Sequence, residues 1–261
     1  MFFATAKDRS QIAFKGFGEV GAPAVLYLHG LGGVGSDWRA VLDRMPASLL
    51  HLCVDLRGHG SSDVSDPPYA MGTLISDIEA VCDARGIRDA VVVGQGVGGL
   101  IAQGLAIKRL DLVRGLILVA TAAKLGYPPH WRARIDAAES GGMGAVAGKM
   151  AERWCGHDPV LAREWAARLA GMDPRGFMGV AAAISGTDFY TPTSGLRLPL
   201  LALAGSEDRA TPPDLVRETA NLVPGSTFEV IRKVGHQLHV EAPEAVGSAL
   251  GRFLDQIGHT P

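Results

Sequence analysis

The chain has little of what marks secreted, membrane or nucleic-acid-binding proteins. It contains only three cysteines and no Cys-x-x-Cys pair, which disfavours a disulfide framework and a cysteine metal site. No run of about 18 apolar residues is present to span a bilayer. The start, MFFATAKDRSQ, lacks the basic head and apolar stretch of a signal peptide. We therefore expect a cytoplasmic protein that does not engage a membrane.

Clustered positive charge is also lacking. The formal net charge is −2 and no stretch is strongly basic. Because phosphate binding needs clustered Lys and Arg, nucleic acid is not an expected partner. The chain is instead rich in apolar residues, 47% of its 261 positions, which is enough for a large core. The partner we expect is a small-molecule substrate, and assembly into a homo-oligomer stays open.

Short apolar runs alternate with amphipathic runs along the chain. This alternation predicts an α/β fold with a mostly parallel, eight-stranded sheet flanked by helices. Several strands are continuous apolar runs, as expected when helices cover both faces of a sheet. The predicted strands are Phe2–Ala6, Gln11–Phe17, Ala24–Leu28, Leu49–Asp55, Ala90–Gly94, Val113–Ala120, Leu198–Ala204 and Thr227–Ile231. The predicted helices are Ser36–Leu42, Leu74–Ala84, Gly98–Lys108, Pro213–Leu222 and Pro243–Gln256.

Residues 122–190 interrupt this alternation with a purely helical pattern that holds three of the four tryptophans. We interpret this stretch as an inserted helical lid, with residues 1–121 and 191–261 forming the core. Trp131 and Trp154 are candidates to contact the substrate, because binding pockets are lined mainly by apolar and aromatic side chains. For any single tryptophan, packing of the lid against the core is the simpler explanation.

Position 96 lacks the residue that its surroundings predict. The segment VVVGQGVGGLIAQGLA has the strand, glycine turn and helix of the Gly-x-Ser-x-Gly turn that carries a catalytic serine. Here the turn reads Gly94-Gln95-Gly96-Val97-Gly98, with glycine in place of serine. Glycine adopts the strained backbone of such a turn freely, but it has no atom that could attack a substrate. The sequence predicts the framework of nucleophilic catalysis without its nucleophile.

Two loops late in the chain carry a candidate acid and base. Asp208 follows one predicted strand within GSEDRATPP, and His236 follows the next within GHQLHVEAPE. An aspartate so placed can accept the imidazole Nδ1–H and stabilise the charged ring. The spacing and the flanking motifs favour His236 as the centre of a site over an inert histidine. His29 and His239 are interpreted as structural.

The loop DLRGHGSSD at residues 55–63 is also interpreted as structural. Its glycines, Asp55 and Arg57 are expected to shape a loop through turn chemistry and an ion pair. Ser61 and Ser62 are turn residues in this interpretation, and poor replacements for the missing nucleophile.

Together, HGLGG at 29–33, the loop at 55–63, the turn at Gly96, GSEDRATPP and GHQLHVEAPE resemble the α/β-hydrolase superfamily. The match covers essentially the whole chain. GSEDRATPP and the segment 173–189 look like the 3-oxoadipate enol-lactonases in particular. The resemblance implies hydrolysis of a small enol-lactone without a cofactor or metal, with Asp208 as the acid and His236 as the base.

The resemblance also implies the remaining parts of the site. The N–H groups of Leu31 and Val97 would form an oxyanion hole, and neither depends on a side chain. Gln95, Trp131 and Trp154 would contact the substrate. The lid offers Arg132, Arg134, Arg153 and Arg175, but no obvious arginine cluster that must hold a carboxylate.

Three hypotheses account for Gly96. The first is a hydrolase-like enzyme in which His236 activates water, or removes a proton from the substrate, without a covalent step; ester, lactone or carbon–carbon hydrolysis, lyase chemistry and cofactor-free oxygenation all fit. The second is a ligand-binding pseudoenzyme, against which the retained acid–base pair argues. The third is an ordinary serine hydrolase with an engineered glycine. We favour the first hypothesis.

Overall fold

A central sheet of eight strands organises the protein, which a computed structural model describes over residues 1–260. The strands are β1 Phe2–Thr5, β2 Gln11–Phe17, β3 Ala24–Leu28, β4 Leu50–Val54, β5 Ala90–Gln95, β6 Val113–Val119, β7 Leu200–Gly205 and β8 Thr227–Ile231. Their order is β1-β2-β4-β3-β5-β6-β7-β8. Strand β2 pairs antiparallel with β1 and β4, and every other pairing is parallel. The predicted fold class is confirmed.

Helices pack on both faces of the sheet. They are α1 Arg39–Leu42, α2 Met71–Ala84, α3 Val97–Lys108, α4 Pro128–Gly141, α5 Gly144–Cys155, α6 Pro159–Ala170, α7 Pro174–Ser185, α8 Tyr190–Ser194, α9 Pro213–Asn221, α10 Leu238–Glu241 and α11 Pro243–Gln256. One apolar core lies between the sheet and α2, α3 and α9. A second lies between the sheet and α1 and α11. Strands β3, β4, β5 and β7 are therefore buried at every residue.

Several elements differ in their limits from those predicted by the sequence. The predicted helix Ser36–Leu42 is a 3-10 turn, Gly35–Trp38, that continues into α1. Helix α2 begins at Met71, earlier than expected. Helix α10 was not predicted, because a segment of four residues is too short to show a helical period.

The predicted lid region contains helices α4 to α7, all placed between β6 and β7. Helix α4 packs on α7, and α5 packs on α6. The three tryptophans of this region are buried. Its division from the core at residues 122 and 190 stays a prediction. Within residues 1–260, the helices are too short or too polar to cross a bilayer.

The loops that follow β3, β4, β5, β7 and β8 all leave the same edge of the sheet, because parallel strands share a direction. This edge is where open α/β sheets bind their ligands. The motifs that the sequence analysis singled out lie on these loops, so the topology alone brings distant parts of the chain together.

Candidate active site

The sharp turn at Gly96 joins β5 to α3. Its backbone angles are φ 54° and ψ −119°, a region that residues with a Cβ rarely adopt. Holding such angles costs a non-glycine residue about 1–3 kcal/mol, whereas glycine adopts them freely. The turn therefore has the strained geometry that the sequence predicted for a nucleophile, without the side chain.

Asp208 and His236 form a buried pair at the ends of neighbouring strands. The Nδ1 atom of His236 lies 2.8 Å from Oδ2 of Asp208. The other carboxylate oxygen, Oδ1, accepts the N–H groups of Ala210 and Thr211 at 2.7 and 2.9 Å. The Thr211 hydroxyl donates to Oδ2 at 2.6 Å. Burial alone would raise the pKa of Asp208, but His236 and the Thr211 hydrogen bonds outweigh it and lower that pKa below its ordinary value.

The imidazole of His236 is turned so that its second nitrogen, Nε2, faces the glycine turn. A Cβ atom added to Gly96 would lie 3.6 Å from that nitrogen and 3.6 Å from the Gly30 Cα. Both distances are ordinary van der Waals contacts. The Trp154 ring stacks on the imidazole with centroids 5.7 Å apart. A side-chain hydroxyl at position 96 would therefore be within hydrogen-bond reach of His236.

Two backbone N–H groups border the same space. Leu31 and Val97 line the cavity together with Gly96 and His236, and neither N–H donates to a protein acceptor within residues 1–260. An oxyanion hole requires backbone N–H groups that are not already bonded within the protein. The assignment of these two groups as an oxyanion hole stays a prediction.

Two buried histidines support the loop that carries Leu31. His59 accepts the Gly32 N–H at 3.0 Å, and His29 accepts the Leu56 N–H at 2.9 Å. Burial lowers the pKa of His29 to about 4 and that of His59 to about 3. Both rings are therefore neutral near pH 7 and can accept these bonds. His29 has the structural role that its sequence predicted.

Ser61 and Ser62, in the loop at residues 55–63, do not line the cavity beside Gly96. Ser62 donates to the Asp55 carbonyl and accepts the Ala13 N–H. Arg57 forms its ion pair with Asp77 on α2, at 2.7 Å, and not within the loop, because the Asp55 carboxylate accepts the N–H groups of Gly35 and Ser61 instead. These contacts anchor the loop to the rest of the fold, in agreement with its structural interpretation.

Gln95 is the predicted substrate contact that the structure does not bring to the cavity. Its side chain is buried and donates to the His236 carbonyl at 3.2 Å. Successive side chains of a strand point to opposite faces. Gln95 is the last residue of β5, so its side chain points away from the side on which position 96 faces the cavity. Gln95 contacts the loop of the histidine instead.

A cavity of about 630 Å³ lies beside Gly96 and His236. Trp131 and Trp154, the other two predicted substrate contacts, both line it. So do the four cations Arg134, Lys149, Arg153 and Arg209, and one carboxylate, Glu152. The lining therefore combines aromatic walls with an excess of positive charge.

The four cations have no carboxylate partner within residues 1–260. The guanidinium of Arg134 lies 4.5 Å above the Trp131 ring. Burial, and then the like charge of Arg153, lower the pKa of Arg134 below the ordinary arginine value. An anion bound here would relieve this repulsion.

Sequence reasoning missed several residues of the site. Thr211 could have been found from its place three residues after Asp208, a spacing at which an aspartate accepts local N–H groups. Lys149 was missed, although it lies four residues before Arg153, which the sequence had offered as a cation, and so shares one face of α5 with it. Arg209 carried no separate signal. Arg132 and Arg175, which sequence offered as cations, do not line the cavity.

The protein is of the hydrolase type, built on a mostly parallel sheet with helices on both faces. This class is defined by the strand order, by the glycine turn and by the pair of Asp208 and His236. The chain belongs to the alpha/beta hydrolase fold family, whose pattern matches residues 23–243. The resemblance to the α/β-hydrolase superfamily is thereby confirmed.

Similar proteins include enol-lactonases and esterases. The chain is 28% identical to 3-oxoadipate enol-lactonase 2 of Acinetobacter baylyi over 251 residues, covering 94% of this chain and 93% of that one. The crystal structure of the enol-lactonase from Burkholderia xenovorans superimposes with a TM-score of 0.91 at 26% identity, covering 97% and 100% of the two chains. A thermophilic esterase from Thermogutta terrifontis gives 0.90 at 27% identity, covering 98% of each.

Proposed function

We propose that the protein hydrolyses a small ester or lactone that carries a carboxylate, with water as the nucleophile and His236 as the general base. The observation that carries this proposal is the placement of His236 Nε2 beside the side-chain-free Gly96, with Nδ1 held by Asp208. Membership in a family of hydrolases supports the reaction class. The names of the relatives, enol-lactonase and esterase, support the substrate class.

The chemistry follows from the geometry of the pair. Asp208 accepts the Nδ1–H, so the lone pair of the neutral ring is on Nε2, which faces the cavity. Water activated there attacks the carbonyl carbon, and the N–H groups of Leu31 and Val97 stabilise the oxyanion that forms. The proton taken up by His236 then passes to the departing oxygen. No acyl-enzyme is formed in this sequence of steps.

The rate should be modest. Catalytic sites that lose a triad member retain about 10³–10⁴-fold acceleration over water. A substrate with a good leaving group, such as an enolate, depends less on a strong nucleophile. An activated ester or an enol-lactone therefore fits this site better than an alkyl ester or an amide.

The cations of the cavity define the rest of the substrate. Arg134, Lys149, Arg153 and Arg209 line the cavity together with one carboxylate, Glu152. A hydrogen bond to a charged group is worth about 1.5–3 kcal/mol. A carboxylate on the substrate should therefore bind about 10- to 100-fold more tightly than a methyl group at the same place.

A matched pair of esters tests the proposal. Mono-4-nitrophenyl glutarate carries a free carboxylate, and 4-nitrophenyl pentanoate replaces that group by methyl. We expect the protein to release 4-nitrophenolate from the first with the higher kcat/KM. His236→Ala should lower kcat by about 10²–10⁴ with the affinity for the half-ester nearly unchanged, because only base catalysis is lost.

Two results would contradict the proposal. Unchanged turnover by His236→Ala would remove the general-base role. Binding of the half-ester without turnover in the intact protein would instead identify a ligand receptor. Calorimetry with glutarate itself measures that binding separately from chemistry.

A further inference from the structure

The loop that carries His236 is held by a carboxylate and by the end of a lid-region helix. Glu241 accepts the Gly235 N–H through Oε2 at 2.8 Å and the Gln237 N–H through Oε1 at 3.0 Å. The same Oε2 lies 2.7 Å from Nε2 of His157, just after α5. Glu241 thus forms hydrogen bonds with the residues on both sides of His236 and connects them to His157, just past the end of α5.

Helix α5 also contacts this loop directly. The Trp154 carbonyl accepts the His236 N–H at 3.0 Å. A Cβ atom added to Gly235 would lie 2.5 Å from that carbonyl oxygen and 2.5 Å from the His157 ring, so only glycine allows this approach. The N–H groups of residues 235 to 237 are all accepted, two by Glu241 and one by α5.

We infer that His157 and Glu241 are positioning residues, which hold the His236 loop against helix α5 so that Nε2 stays directed at Gly96. Neither residue lines the cavity, so neither touches the substrate. The inference rests on the proposed function only for its effect on turnover. The geometry itself concerns the distance between His236 and position 96.

The hydrogen bonds of the Glu241 carboxylate are expected to fix the position of the His236 loop. Its side chain is 8% exposed and that of His157 is 20% exposed, so their hydrogen bonds face little competition from water. The carboxylate has three donors around it, from Gly235, Gln237 and His157. A carboxamide would place an NH2 group against at least one of them. A buried donor left unpaired costs about 1–3 kcal/mol, which the loop can avoid only by moving.

The test uses two matched substitutions at position 157. His157→Gln keeps an N–H donor at the reach of Nε2, and His157→Leu removes it at similar volume. Displacement of a catalytic group by about 1 Å can cost 10²-fold in rate. We expect His157→Leu and Glu241→Gln to lower kcat about 10- to 100-fold with KM for mono-4-nitrophenyl glutarate little changed, and His157→Gln to retain most of the rate.

A second readout does not need the natural reaction. In a Gly96→Ser background, a fluorophosphonate labels the introduced hydroxyl only if His236 activates it. His157→Leu should slow this labelling about 10- to 100-fold relative to Gly96→Ser alone, and His157→Gln should not. Glu244→Gln is the control, because that carboxylate is 81% exposed on the neighbouring helix.

Labelling and turnover separate the two proposals. Slower labelling in His157→Leu supports the positioning role even if the protein turns over no ester. Equal labelling by the leucine and glutamine variants, with urea unfolding showing both folded, would overturn the inference. A loss of stability without any change in labelling of the folded protein would reduce the pair to a structural role, which also overturns it.

Discussion

At the scale of single residues, Gly96 decides which chemistry the site can perform. A Cβ atom there meets only the Gly30 Cα and His236 Nε2, each at 3.6 Å. Both are ordinary van der Waals distances, so a Cβ atom fits at this position without displacing a neighbour. The remaining obstacle is the backbone, with φ at 54°.

Gly96→Ser should therefore gain a reactive hydroxyl and lose stability. We expect covalent labelling by a fluorophosphonate and faster release of 4-nitrophenolate, because the hydroxyl lies beside the base. The strained angles should cost about 1–3 kcal/mol in the free energy of unfolding. Labelling followed by mass spectrometry, and urea unfolding, measure the two effects.

The double variant Gly96→Ser, His236→Ala is the control for that prediction. It keeps the hydroxyl and removes the base, so it should not label. An inert, unlabelled Gly96→Ser protein that is still folded would mean that His236 does not reach position 96 in solution.

At the scale of elements, a buried ion pair joins the loop at residues 55–63 to helix α2. Arg57 donates to both carboxylate oxygens of Asp77, at 2.8 and 2.7 Å. The side chains are 1% and 3% exposed. Asp8 also pairs with Arg57, at 2.6 Å, but its carboxylate is half exposed.

Asp77→Ala should lower the free energy of unfolding by about 1–3 kcal/mol, because it leaves the buried Nε–H of Arg57 without an acceptor while Asp8 still pairs with the guanidinium. Asp83→Ala on the same helix is the matched control. Its pair with Arg88 is exposed on both sides, so a change within about 0.5 kcal/mol is expected. Urea unfolding of both variants measures the difference, and equal losses would show that the Arg57 pair adds nothing beyond a surface contact.

Elements were also where sequence reasoning worked best. Strands β3 and β5 are unbroken apolar runs bounded by turns, so their type and limits are visible locally. The ion pair expected within the loop of Asp55 and Arg57 was wrong in its partner, because Arg57 pairs with Asp77, 20 residues away on another element. Gln95 was assigned to the substrate from its place in a motif, and the direction of its side chain depends on the packing of the turn.

At the scale of the whole molecule, buried histidines set the stability in acid. His29, His59 and His239 are all at most 5% exposed. Burial lowers their pKa values to about 4, 3 and 4 respectively. Above the unfolded value of about 6.5 they are neutral in both states and contribute no pH dependence.

Below that pH these histidines bind protons in the unfolded chain, whereas in the folded protein they stay neutral. The free energy of unfolding should therefore fall as the pH drops from about 6.5 toward 4, by about 1.4 kcal/mol per pH unit for each such histidine. His239→Phe isolates one of them. Its ring stacks on Trp38 with centroids 4.3 Å apart, and neither ring nitrogen has a partner within residues 1–260.

His239→Phe should be at least as stable as the unsubstituted protein at pH 8 and lose stability more slowly in acid. Urea unfolding at pH 8, 6.5 and 5 measures both slopes. Parallel slopes for the two proteins would show that His239 is protonated in the folded state, and so would refute its low pKa.

The sequence by itself determined the order of strands and helices, the glycine turn at position 96, and the loops that carry Asp208 and His236. These features depend on local patterns, because the period of apolar residues and the backbone freedom of glycine act over a few neighbours. Tertiary structure alone decided that Arg134, Lys149, Arg153 and Arg209 surround one cavity. It also decided that Glu241 meets His157, 84 residues away in the chain. Contacts of this kind follow from how helices pack on the sheet, and no local pattern encodes that packing.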